Sequence, residues 1–353
     1  MAGAGIVFKN LAKSYNGVDA LVGFDLEVKP GEFMTLLGPS GSGKTTALNA
    51  LAGFISPDRG DILIGGRSVL SLPPERRGLG MVFQGYTLFP HMNVYDNVAF
   101  PLRLRRMGRK EIQHKVGAVL EMVQLAALAG RMPKELSGGQ QQRVAFARAV
   151  VSEPPVLLMD EPLGALDLKL RQAMQLEIKR YHAALGCTII FVTHDQEEAL
   201  VLSDRVAVMG DGKIRQVDTP SGIYDRPNSR YVAEFIGKTN ILRLDVRSDG
   251  SSRIVETGTQ IGHGATQERE NRLLSVRPEK IVRARAGRAG CVTFSGTVDE
   301  VLFLGNAVQY GVRVSDGSLL LVQEHRSAQL GELKVREDVE LQFLLEDALR
   351  VAP

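Results

Sequence analysis

Gly38-Pro39-Ser40-Gly41-Ser42-Gly43-Lys44-Thr45 lies between an apolar run, Phe33 to Leu37, and a helical pattern, Thr45 to Ala52. A glycine, four free positions and then Gly-Lys-Thr, placed between a strand and a helix, make a phosphate loop. The glycines let the backbone curl until several N–H groups converge on phosphate oxygens, and the helix start adds its positive dipole end. Lys44 is placed to reach the β- and γ-phosphates of a nucleoside triphosphate, and the Thr45 hydroxyl to coordinate Mg²⁺. The bland alternative is a Gly-rich strand-to-helix turn with a chance lysine. Both flanking elements weigh against it.

Working outward, Val156-Leu157-Leu158-Met159-Asp160-Glu161 is an apolar strand that ends in two acids. Beside a phosphate loop, Asp160 falls near the metal and Glu161 one step beyond, where a carboxylate can align or polarise an attacking water. Thr188 to Val192 and Arg205 to Met209 are further strands buried on both faces, and helical patterns run over Gln140 to Val151 and Leu168 to Leu185. Alternation of this kind predicts an α/β fold with a parallel sheet covered by helices. Val94 to Met132 carries long amphipathic patterns and no strand, which reads as a helical insertion reaching to about residue 149. From about Ile241 the character changes. Val308, Tyr310, Val312 and Val314 alternate at strand period, Leu319 to Val322 and Val339 to Leu345 are further strands, and Gly-containing turns join them. Short strands at regular spacing predict a small all-β barrel or sandwich. The expected division is 1–237 and 238–353.

Composition narrows the classes. The chain has 353 residues, 44% hydrophobic and 24% charged, which is ordinary globular composition and long enough for two domains. Its 43 Lys and Arg against 40 Asp and Glu leave a formal charge of +3, too slight an excess for a dedicated nucleic-acid binder without a basic run. Cys187 and Cys291 match no metal spacing, and Cys187, beside an apolar run, is expected to be a buried thiol in a reducing compartment. The N-terminus lacks the basic-then-apolar order of a signal peptide. No apolar run approaches the roughly 18 residues a membrane helix needs. The expectation is a soluble chain that meets a membrane only through a partner.

Leu136-Ser137-Gly138-Gly139-Gln140, followed by Gln141-Gln142-Arg143-Val144-Ala145, resembles the signature motif of the ATP-binding-cassette (ABC) family. A serine and two glycines at a helix start offer a hydroxyl, free N–H groups and a positive dipole end, hence a second anion site. The family's other motifs occur in order, and the resemblance runs from Ile6 to about Gly237. It implies a P-loop NTPase cassette with a helical subdomain, binding ATP and Mg²⁺. Gln84 is similar to the Q-loop glutamine, linking Mg²⁺ and the attacking water to the insertion. His194, in Thr193-His194-Asp195, is similar to the switch histidine at the γ-phosphate. Leu163-Gly164-Ala165-Leu166-Asp167 resembles the D-loop, with Gly164 where serine is frequent. Tyr15 stands where an aromatic stacks on adenine.

The implied catalytic set is therefore Glu161, His194 and Gln84. The implied ATP contacts are Tyr15, Gly38, Pro39, Ser40, Gly41, Ser42, Gly43, Lys44, Thr45 and Thr46, completed from a second copy by Ser137, Gly138, Gly139, Gln140 and Asp167. The implied Mg²⁺ ligands are Thr45, Gln84 and Asp160. Two cassettes associating head-to-tail then move membrane-spanning permease subunits at the cytoplasmic face of the inner membrane. Tyr86-Thr87-Leu88-Phe89-Pro90-His91-Met92, continuing to Val98, looks like the importer form of the segment that receives a coupling helix. Thr219-Pro220, Ile223 to Pro227, Phe235-Ile236-Gly237 and Val276-Arg277-Pro278-Glu279 resemble importer cassettes with a C-terminal TOBE-like (OB) regulatory β-domain, of the polyamine-type branch. Substrates of that branch include spermidine, putrescine, opines, phosphonates and ferric iron, and a sugar importer is the nearest alternative. A solute-binding protein would be an indirect partner. A translation or DNA-repair cassette is disfavoured, since those usually carry two cassettes or a long coiled coil.

Overall fold

The computed structural model describes residues 3–85, 87–164, 166–246, 251–261, 272–285, 290–326 and 331–353. Tyr86 and Ala165, both named above, lie outside the described residues. The chain separates into two compact units, Met1–Ser221 and Gly222–Pro353.

In the first unit a six-stranded sheet runs in the order Lys213–Asp218, Arg205–Gly210, Phe33–Leu37, Thr188–Thr193, Val156–Asp160, Leu79–Val82. All neighbours pair in parallel except Lys213–Asp218, which returns antiparallel on Arg205–Gly210. Phe33–Leu37 and Thr188–Thr193 are buried at every position, as strands covered on both faces must be. Their carboxyl ends, with that of Val156–Asp160, lie side by side. Ligands of parallel α/β sheets bind at that edge.

A second, antiparallel sheet joins Val18–Val28, Ile6–Tyr15, Arg59–Ile64 and Arg67–Ser68. The expectations above did not include it, yet the sequence carries its signal. Asn16 and Gly17 adopt φ of 50° and 81° between two alternating runs, the double left-handed turn that Asn-Gly favours in tight hairpins. Phe8, Leu11, Phe24 and Leu26 on this sheet share a core with helix Lys44–Ala52 and with Met34 and Leu36 of the parallel sheet. The phosphate loop is therefore braced by apolar packing on either side of the helix it starts.

The predicted insertion is helical: Val94–Leu104 and Arg109–Met122 pack with Gly138–Val150 through Val98, Leu102, Val116, Leu120, Val144 and Phe146. Asn97, fully buried, holds its entrance, donating to the carbonyls of Phe89, Met92 and Asn93 at 2.9–3.1 Å and accepting from Phe89 N at 2.8 Å.

The second unit is mostly β. One five-stranded sheet centres on Asn240–Val246 and the other on Cys291–Phe303, both antiparallel. Tyr310, Phe343, Phe294, Val312 and Leu341 form its core. Helix Arg230–Phe235 belongs to this unit because Arg277, buried against the Tyr224 ring at 4.3 Å, donates to the carbonyls of Tyr224, Ala233 and Lys238. Cys187 is buried and Cys291 half-buried, and both are free thiols. Among the described residues no helix is long and apolar enough to cross a membrane.

Candidate functional site

The site grows from the loop at the end of Phe33–Leu37. Gly41 and Gly43 take φ of 80° and 95°, conformations a side chain resists. A Cβ on Gly43 would also collide with the Ala20 carbonyl, and one on Gly38 with that of Met209. Lys44 is 5% exposed and curls back into the loop, donating to the Gly38 and Pro39 carbonyls at 2.8 Å each. Burial pulls its ammonium below the usual lysine value, while Glu161 and Asp160 pull the other way. Pro39, Ser40, Gly41 and Thr45 are exposed, Gly43 and Thr46 half-buried, and Ser42 is buried with its N–H on Pro39 O at 3.2 Å. A cation encircled by loop carbonyls, beneath exposed backbone, is a receptacle for a polyphosphate.

Across from it, Thr45 Oγ1 lies 3.4 Å from Asp160 Oδ1. Burial, and then the neighbouring Glu161, push the Asp160 carboxyl above its ordinary range, so a cation here would be welcome. The donors are hard oxygens, and among the described residues no group of three or more His, Cys, Asp or Glu could hold a metal alone. One carboxylate and one hydroxyl suit Mg²⁺, which keeps waters and shares phosphate oxygens.

Glu161 is the hub. Its φ is 41°, unusual for a glutamate, and its N–H is tied to Val192 O at 2.9 Å. One carboxylate oxygen faces Gln84 Nε2 at 3.4 Å, and the other faces His194 Nδ1 at 3.2 Å. The three predicted catalytic side chains thus meet on one carboxylate. Tyr15 is 44% exposed under Lys13, whose Nζ lies 5.4 Å from its ring centre. It pairs with Val18, two residues from the Ala20 that abuts Gly43.

Ser137 to Gln140 are placed differently. Ser137 caps helix Gly138–Val150 in a reciprocal box with Gln140. Ser137 and Gly138 are exposed, and Gly138 and Gly139 neighbour Leu166 and Leu170 rather than the phosphate loop. Asp167, also exposed, caps helix Leu168–Leu185 through Leu170 N at 3.0 Å. Sequence reasoning did not find Lys13 or Arg171, whose guanidinium reaches both Asp195 and Leu166. Neither falls in a recognisable motif, and each has an ion-pair partner distant along the chain, Asp58 for Lys13 and Asp195 for Arg171.

A phosphate loop on a parallel sheet, a strand-end acid pair and a serine-capped helix define a P-loop nucleotide-hydrolysing cassette. The pattern of the ABC transporter family matches residues 21–164, and that of the TOBE domain matches residues 274–351. The chain is 45% identical to the "Spermidine/putrescine import ATP-binding protein PotA" of Frankia alni, over 95% of this chain and 76% of that one. It is 41% identical to the protein of that name in Thermotoga maritima, over 93% and 91%. Among solved structures it resembles the "Dimeric structure of a post-hydrolysis state of the ATP-binding cassette MJ0796 bound to ADP and Pi", with TM-score 0.55, 33% identity, and coverage of 61% of this chain and 98% of that one. The cbiO1 protein of Clostridium perfringens, "Part of the ABC transporter complex cbiONQ", matches with TM-score 0.57, 30% identity, 62% and 89%. The chain belongs to the ABC transporter family, with a C-terminal TOBE domain, and it is an ATPase.

Proposed function

We propose that the chain hydrolyses ATP to drive uptake of a polyamine, spermidine or putrescine, through partner permeases. The convergence of Gln84 and His194 on Glu161, beside the phosphate loop, carries the hydrolytic reading. In that reading Lys44 and the loop amides hold the triphosphate, with Gly38 to Thr46 as its cradle. Tyr15, on the strand pair that abuts Gly43, stacks on the adenine. Thr45, Asp160 and Gln84 would hold Mg²⁺, which supplies charge neutralisation between phosphate oxygens. Glu161 accepts a proton from the attacking water, and His194 fixes that carboxylate while reaching towards the terminal phosphate.

Ser137, Gly138, Gly139, Gln140 and Asp167 serve a second copy of the chain. The exposure of Ser137, Gly138 and Asp167, and the bare Leu168 beside Asp167 at 63% exposed, support a face covered by a partner protomer. A recess of about 380 Å³ lined by Leu79, Met81, Phe83, Phe89, Phe100 and Arg148 supports docking of a permease segment on the helical insertion. The chain would thus work at the cytoplasmic face of the membrane, with a solute-binding protein delivering substrate to the permeases. The polyamine assignment draws on the names of the relatives, of which this chain covers three quarters or more. Residues 1–237 are read as the ATP-binding domain and 238–353 as a regulatory one, although the helices before 237 pack in the second compact unit.

Glu161→Gln tests the hydrolytic reading. It keeps shape and hydrogen bonding but removes the base, so turnover should fall about 10²- to 10⁴-fold with ATP affinity unchanged. Hydrolysis at the wild-type rate would show that another group activates the water.

A further inference from the structure

Arg171 sits in the first turn of helix Leu168–Leu185 and reaches two loops at once. Its Nη1 donates to Asp195 Oδ2 at 2.9 Å, and its Nη2 donates to the Leu166 carbonyl at 3.2 Å. Leu166 immediately precedes Asp167, and Asp195 immediately follows His194. The other oxygen of Asp195 accepts from Glu197 N and Glu198 N, while its own N–H donates to Thr193 Oγ1 at 3.0 Å. The turn is therefore clamped on both sides of the imidazole that meets Glu161 at 3.2 Å.

We propose that Arg171 is a positioning residue for hydrolysis, its forked guanidinium coupling the loop that carries Asp167 to the turn that carries His194. A displacement of either loop is then passed to His194 and so to the Glu161 carboxylate. The inference rests on the reading of His194 and Asp167 given above. Only an arginine serves two acceptors in fixed planar geometry, because a lysine presents one ammonium on a flexible stem. A second observation supports a moving part. Arg171 Nε is buried without a hydrogen-bond partner, and it lies 3.9 Å from Oε1 of the buried Glu198. A small rotation closes that gap at the expense of the existing pair, so the fork has a second arrangement within reach. An element with two arrangements is what coupling between loops requires.

A simple staple at the helix start is the competing account. It predicts lower stability and unchanged turnover per folded molecule. The full-length protein should be prepared as wild type, Arg171→Met, Arg171→Lys, Asp195→Asn and the Arg171→Met/Asp195→Asn pair. Asparagine also caps helices, so Asp195→Asn spares the cap while removing the charge. We expect Arg171→Met to lower kcat by about 10-fold to 100-fold, the scale of a small misplacement. Affinity for a fluorescent ATP analogue should hold within about 2-fold, since the phosphate loop is untouched. Arg171→Lys should recover little of the loss. The double variant should lose no more than the worse single one, because coupled residues do not add.

Wild-type kcat per folded Arg171→Met molecule, or losses that multiply in the double variant, would overturn the proposal. Should Arg171→Met fail to fold, Arg171→Lys and Asp195→Asn decide it: lost kcat at unchanged affinity supports it, and wild-type kcat overturns it. His194→Ala separates the two readings. Full turnover there would overturn the role of His194 and this route with it, whereas a slow His194→Ala beside a normal Arg171→Met would remove only the role of Arg171.

Discussion

Lys44 illustrates how one residue carries a cost in one state for use in another. Its buried ammonium is satisfied by two loop carbonyls and drawn by two nearby acids, yet burial still pulls it below the usual lysine value. A triphosphate would supply the missing counter-charge. Lys44→Ala should therefore weaken ATP binding more than 10-fold, given that charge-assisted hydrogen bonds are each worth about 1.5–3 kcal/mol. It should leave the thermal midpoint of the nucleotide-free protein equal or higher. Equilibrium binding and thermal melts check both halves, and wild-type affinity would remove Lys44 from the site. The identity of this residue, like that of Glu161, was legible in the sequence because the motif fixes it. The φ of 41° at Glu161 was not, since backbone strain leaves no mark in residue order.

At the scale of elements, two short segments hold the site in place. Asn97 meets three carbonyls and an N–H in the loop before its helix. Asn97→Leu strands those groups and should destabilise the protein by about 2 kcal/mol or more, measured by urea unfolding. ATP affinity should hold, because the loop at Gly38 to Thr45 does not touch that segment. Helix Gln196–Leu202 gives a pH prediction. Burial pushes the Glu198 carboxyl up; the Thr193 hydroxyl at 2.6 Å opposes this, Asp195 adds to it, and Arg171 and His194 oppose it. A raised acid favours folding at pH below its unfolded value and loses that contribution as pH rises through the folded value. Glu198→Gln should thus gain thermal midpoint over wild type between about pH 5 and 8, with the gap closing towards pH 4. A gap that stays constant with pH would show that Glu198 does not titrate in that range.

The strands of the parallel sheet were legible because doubly buried strands are short, apolar and Gly-bounded. The antiparallel sheet over Ile6–Ser68 was harder to find, since its edge positions alternate with exposed polar residues and only Asn16-Gly17 announces the hairpin. Helices before residue 237 joined the tail for a reason composition does not contain, the reach of Arg277.

For the whole molecule, the shared site is the central question. If one protomer carries Lys44→Ala and the other Ser137→Arg, a composite arrangement gathers both defects in one site. The other site keeps intact Lys44 and Ser137. With Glu161→Gln added to both chains to hold nucleotide, a mixed dimer isolated by two affinity tags should occlude one ATP. No occluded ATP in a folded mixed dimer would mean that each chain binds with its own motifs. Truncation gives a second test. A chain ending at Ser221 should fold and bind ATP, since it is compact by itself. One ending at Asn240 should aggregate more, because it leaves Val232, Ala233 and Ile236, all buried in the full chain, without the Arg277 framework. Equal solubility of the two would show that those helices need no support from the tail.

The strand order of the parallel sheet also bears on how the chain is made. Phe33–Leu37 lies between Thr188–Thr193 and Arg205–Gly210, so neither of its neighbours exists when it leaves the ribosome. From Leu37 to Thr188 is 188 − 37 = 151 residues, which at a synthesis rate of about 5–20 residues per second is a wait of roughly 8–30 s. The Asn16-Gly17 hairpin closes within microseconds of emerging, and helix Lys44–Ala52 can pack on it early. The central strand, apolar on both faces, must be sheltered by that half-built layer or by a chaperone until the later strands arrive. Slowing translation after residue 52 should raise the aggregated fraction of nascent chains, whereas a pause after residue 210 should not.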